Sequence, residues 1–170
     1  MRDLKRANAK QPAYKMLTEA GFEVFTPMRT RVVTKGGKQV REEVPFIQDL
    51  LFVHSDRETL DETVMRTETL QYRYLKGHAY CTPMTVSEAD MNRFIAAVST
   101  VRTPRFFHID EITPGMYGST IKMICEGTLN GIEGRLLKLK GSGKKRLVVE
   151  LPGLLAAAVE ISTADYIELL

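Results

Sequence analysis

Histidines, cysteines and adjacent acids are the side chains of this chain best suited to chemistry, and their spacing gives them little to do. His54, His78 and His108 are scattered, and none falls in an H-E-x-x-H or a similar metal-ligand spacing. Cys81 and Cys125 stand alone, with no C-x-x-C pair and no histidine cluster nearby, which argues against structural zinc and points to a reducing cytoplasm. Asp61 with Glu62, and Glu42 with Glu43, are neighbours in the chain, and neighbours on one element do not face each other as an acid/base pair must. There is no G-x-S-x-G, no G-x-x-x-x-G-K-[ST], and no G-x-G-x-x-G opening a helix. The expectation is therefore a protein that works by binding, without catalysis, cofactor or metal.

Binding chemistry is better represented. The first fifty residues carry 10 Lys/Arg against 6 Asp/Glu, and the next fifty 5 against 7. Arg135, Lys138, Lys140, Lys144, Lys145 and Arg146 then fall in one stretch with no acid among them. Such clusters attract nucleic acid by releasing counterions, or simply solubilise hairpin edges and discourage edge pairing. The run Gly127-Thr128-Leu129-Asn130-Gly131-Ile132-Glu133-Gly134 is the most informative in the chain. Three glycines spaced four and three apart between strands imply positive φ, or backbone too close to a neighbour for a Cβ.

The elements that position these residues follow from periodicity. The chain has 170 residues, 44% hydrophobic and 26% charged, with a net charge of +3, an ordinary composition for one or two globular domains. No apolar run reaches the ~18 residues of a membrane span, so the protein is expected to be soluble and intracellular. Pro12 and Gly21 bracket a helix over 12–20, with Tyr14, Leu17 and Ala20 as its apolar stripe. A strand over 22–25 follows, then two extended segments around Gly36-Gly37 that read as a β-hairpin. Residues 49–54 form the most hydrophobic strand of this half, a short helix follows Asp56, and 70–75 read as a further strand with Tyr72 and Tyr74 on one side. Ser87 opens a helix carrying Met91, Phe94, Ile95 and Val98. Periodicity lapses between 99 and 116, where Pro104, Pro114 and Gly115 suggest a linker. Five short strands in the remaining residues predict a small closed barrel. The fold class is α+β: a sheet-and-helix domain over 1–98, a linker over 99–116, and an all-β barrel over 117–170.

Two stretches resemble known modules. The run 121–136, in which a strand leads into the glycine turn and a second strand, resembles a KOW motif, marked by Gly127, Gly131 and Gly134. Residues 15–27 and 44–53 resemble an NGN domain. NGN, linker and KOW barrel in that order resemble the NusG family of transcription elongation factors. General NusG proteins carry Pro-Gly-Tyr before the Leu-Phe-Val strand, where this chain has Gln48-Asp49-Leu50. With Leu70-Gln71-Tyr72 and Met91-Asn92-Arg93-Phe94-Ile95, that departure is more similar to the specialised UpxY-type paralogs, antiterminators of capsular polysaccharide operons. The Trp-Tyr that usually opens the first NGN strand is absent, and residues 1–6 are its shortened counterpart.

The resemblance implies a cytoplasmic, monomeric antitermination factor that binds the clamp helices of RNA polymerase through an apolar concavity of the NGN sheet. The matching strand supplies Leu50 and Phe52, with Tyr72 and Tyr74 as neighbours by position. Nontemplate DNA would meet Lys5, Arg6, Lys10 and Lys15 around the first helix, and Arg73 and Lys76 beside the tyrosines. Nascent RNA would meet the basic run 138–146. The KOW barrel of the family recruits a ribosomal protein or a termination factor, for which Leu154 and Leu155 form a candidate surface. The aromatic residue that general NusG proteins place in that loop is missing. The competing reading is a KOW-containing ribosomal or RNA-binding protein with no polymerase role.

Overall fold

The computed structural model of the chain describes residues 1–5, 10–75, 82–100, 104–137, 144–161 and 166–170. It divides into two compact units, Met1–Thr85 and Val86–Leu170.

The first unit holds β1 (Arg2–Asp3), α1 (Ala13–Glu19), β2 (Glu23–Phe25), β3 (Met28–Lys35), β4 (Lys38–Pro45), β5 (Phe52–His54), α2 (Arg57–Arg66) and β6 (Leu70–Gln71). The helix predicted over 12–20 starts one residue late: Pro12 is its extended N-cap and has no side chain to offer the free N–H groups. Asp3 supplies what Pro12 lacks, because its carboxylate accepts the Ala13 N–H at 2.6 Å and the Lys5 N–H at 2.9 Å. Those charge-assisted bonds explain how a carboxylate only 8% exposed is tolerated. Ala13 and Leu17 of α1 then meet Leu51 and Leu70 in a core that also takes in Val24, Val53 and Val64.

Among its described residues the unit has three two-stranded ladders, two of which meet at β1. β2 pairs antiparallel with β5, and β1 with β6. Arg2 bridges Leu50, while the Asp3 N–H donates to the Asp49 carbonyl at 3.1 Å, so β1 lies between segment 49–54 and β6. Residues 2–4 thus do the work of a first strand. β6 is shorter than predicted. Beyond it, segment 73–75 exchanges backbone bonds with 82–84, including Met84 N–H to Arg73 carbonyl at 2.7 Å. The diglycine hairpin forms as expected, with φ of 56° and 78° at Gly36 and Gly37.

The second unit contains α3 (Glu88–Ser99), β7 (Arg105–His108), β8 (Tyr117–Ile124), β9 (Glu133–Leu137), β10 (Arg146–Leu151), β11 (Leu155–Glu160) and β12 (Tyr166–Leu169). Ser87 caps α3 by accepting the Asp90 N–H at 3.1 Å. The strands run antiparallel in the order β12-β8-β9-β10-β11-β7. The five predicted strands are all present, and β7 is a sixth, inside the stretch read as a linker. It forms because Phe106 and Phe107 lie opposite Ala157 and Ala156, so bulky rings meet small partners and both phenylalanines are buried. The boundary also differs from the predicted one. α3, read as the last helix of the first domain, packs on β10 and β11 and belongs to the second unit.

Candidate partner-binding face

Alternation along two paired strands creates the face of interest. In β5, Val53 points with Leu51 toward α1, so Phe52 points the other way. In β2, Val24 belongs to the same core, so Phe25 also points away from it. Phe25 is directly opposite Phe52 in the ladder, and their ring centroids are 6.2 Å apart. Both rings are half-buried. α1 and α2 contribute to the opposite core through Leu17 and Val64, which leaves this aromatic pair on the other side of the sheet. Sequence reasoning singled out Phe52 and missed Phe25. The signal was present in the strand over 22–25, but only the register shows that the two rings meet.

Leu50 is corrected. It is 2% exposed, too little to present to a partner, although alternation with Leu51 sets it on the Phe52 side of its strand. The tyrosines divide between two roles. The Tyr72 hydroxyl donates to Asp61 of α2 at 2.7 Å, and burial, with that carboxylate as second cause, holds its pKa well above the ordinary phenol value. Tyr74 is 47% exposed and meets the Tyr72 ring edge-on at 6.4 Å. Tyr72 is therefore the anchor and Tyr74 the side chain available to a partner.

The predicted nucleic-acid residues do not form one group. Arg73 binds Asp49 at 2.9 Å, and Arg2 binds the other oxygen of that carboxylate at 3.1 Å. The Arg73 charge is thus engaged by an acid inside its own unit. Lys5 donates to the Gln11 carbonyl at 3.0 Å, while Lys10 and Lys15 are exposed around the start of α1. Arg6 and Lys76 lie outside the described residues, as do 138–143 of the basic run.

In the second unit each glycine of the 127–134 turn has its own reason. Gly127 and Gly131 have φ of 125° and 76°. Gly134 has an ordinary φ, but a Cβ there would stand 2.4 Å from the Val148 carbonyl oxygen and 2.7 Å from Leu147 Cδ1. The turn closes through the Gly131 N–H to the Met123 carbonyl at 2.8 Å, with Leu129 folded inward. Leu154 is partly exposed at the 152–154 turn. Leu155 is not: it is fully buried as the first residue of β11, opposite Leu151 and His108.

Among the described residues no group of His, Cys, Asp or Glu is placed to hold a metal ion, and no helix is long and apolar enough to cross a membrane. Residues 5–95, more than half the chain, match the family model described as transcription termination factor nusG. A search of curated proteins found none that matches. The matched segment covers nearly all of the first unit and extends into α3.

Proposed function

The chain belongs to the NusG family, and from that premise we propose that it is a transcription elongation and antitermination factor whose first unit docks on RNA polymerase through the Phe25–Phe52 face. The observation that carries this reading is the aromatic pair on the side of the sheet opposite α1 and α2. Aromatic anchors on a rigid sheet supply most of the energy of a protein interface, because they bury large area and lose little conformational entropy. Tyr74 offers a second, exposed ring elsewhere in the same unit, beside Tyr72. The clamp helices of the polymerase are the partner that the family resemblance favours. The protein acts by positioning alone, with neither catalysis nor cofactor. The Gln48-Asp49-Leu50 departure supports a specialised role of UpxY type, read-through of one operon, with a capsular polysaccharide operon as the model.

Binding of the full chain to core RNA polymerase tests the proposal. Phe52→Ala is expected to lower affinity by about thirtyfold, the equivalent of one ~2 kcal/mol anchor, while the unfolding midpoint changes little. Wild-type affinity in that variant would refute the docking face, and so would loss of the fold, which would make Phe52 a core residue. Tyr74→Ala removes an exposed ring and should weaken binding less, with the fold intact. Read-through on a terminator template, with and without the protein, then tests antitermination.

A further inference from the structure

A long hairpin that buries nothing is expensive to keep, since an isolated two-stranded ribbon is marginal in water. β3 and β4 stay in register from Met28↔Pro45 to Lys35↔Lys38, yet none of the eight residues of either strand is buried. The Phe46 N–H donates to the Pro27 carbonyl at 2.8 Å, which fastens the base of the ribbon. Alternation places Arg29, Arg31, Lys35 and Lys38 on one face with a single acid, Glu42. Over residues 28–45 there are five Lys/Arg and two Glu, an excess of three that equals the net charge of the whole chain. Glu42 pairs with Lys35 and, at 3.6 Å, with Arg31, which gathers the cations into one strip.

We propose that this hairpin is an arm for double-stranded DNA, which enters the major groove and neutralises phosphates along its walls. The ribbon is about 26 Å long and its strands about 5 Å apart, dimensions that suit a groove about 12 Å wide. The deep, narrow major groove of A-form RNA does not admit such a ribbon. Unpaired strands are held mainly by stacking on aromatic rings, and residues 28–45 contain no Phe, Tyr, Trp or His. Val32, 60% exposed, and Val40, 40% exposed, give the ribbon apolar contacts of the kind that meet thymine methyl groups. The arm goes beyond the aromatic face and does not depend on what binds there.

Fluorescence anisotropy of the full chain with a labelled duplex, titrated with salt, tests the arm without polymerase. Replacing Arg29, Arg31, Lys35 and Lys38 together by Gln should weaken binding about tenfold or more and flatten the log–log salt slope by roughly 3, since each phosphate contact contributes about 0.9. Glu42→Gln tests the opposite direction, which misfolding cannot imitate. Releasing Lys35 and Arg31 from the acid should tighten duplex binding roughly threefold and steepen the slope by about 0.9. Arg66→Gln, on α2 and already paired with Glu62 at 2.6 Å, should leave both readings unchanged. The proposal is overturned if the fourfold variant keeps wild-type affinity and slope, or if Glu42→Gln binds no tighter. It is equally overturned if the single strand of the same sequence, or polyglutamate as competitor, is preferred over the duplex.

Discussion

The two antiparallel pairs β3–β4 and β10–β11 share one kind of ladder and serve opposite ends. No residue of β3 or β4 is buried, whereas four of six in β10 and five of six in β11 are. Backbone hydrogen bonding is continuous in both. The difference lies in what covers the faces. Ala156 and Ala158 of β11 face a cluster containing Phe107, Ile112 and Leu137, which leaves Leu155, Ala157 and Val159 for the face on which α3 lies. The hairpin has no such cover and spends its side chains on charge. Burial fixes where stability resides, and exposed charge marks where a partner can act.

The sharpest way to break that contrast is to remove the cover. Phe94 of α3 is fully buried, with its ring 6.3 Å from that of Phe106. Phe94→Ala should cost about 3–5 kcal/mol, as for other buried phenylalanines, and lower the denaturant midpoint of the unit that contains β10 and β11. A variant whose β10–β11 amides keep their full protection would mean that α3 is not part of that core. Gly134→Ala is the next largest. Its Cβ would meet a carbonyl oxygen of β10, which cannot swing aside as a side-chain tip can. A loss of about 1–3 kcal/mol is expected by calorimetry, and an unchanged melting temperature would show that the two strands separate freely there.

These positions also show what was legible in the sequence and what was not. The hairpin was, because Gly36-Gly37 between extended segments specifies a primed turn from local chemistry alone. The cap at Ser87 was legible for the same reason, whereas only a helix after Asp56 was read there and the cap that Asp56 forms, accepting the Thr59 N–H at 2.8 Å, was not. The family resemblance rested on such local runs, and the family match supports its NusG core. β7 was hidden because prolines and a glycine around it read as punctuation, while its warrant is the alanines of β11, some fifty residues away. Leu50 and Leu155 read as surface because alternation says which side a residue faces but not whether that side is covered. Phe25 was missed for the converse reason, since its importance lies in a partner ring supplied by another strand. The affiliation of α3 depended on which sheet it meets, and no helix-face pattern specifies that.

The smallest expected effect sharpens the comparison from the hairpin's side. The Glu42 carboxyl titrates below its ordinary value, chiefly because Lys35 donates a hydrogen bond to it, with the charges of Lys35 and Arg31 adding to the shift. A carboxyl with a lowered folded-state pKa binds its proton more readily in the unfolded chain. Its contribution to the hairpin is therefore complete above the ordinary glutamate value and fades as pH falls through the lowered one. The group is half-buried at the surface and its partners Lys35 and Arg31 are exposed, so solvent and salt screen the interaction and the effect on global stability is small. It should be visible locally, as faster hydrogen exchange of β3 and β4 amides on acidification once intrinsic rates are allowed for, with added salt reducing the difference. Glu42→Gln has no such proton to gain and should remove this step. If the variant shows the same acid response, the ribbon is held by its backbone ladder and turn alone, and the acid serves only to moderate the basic strip.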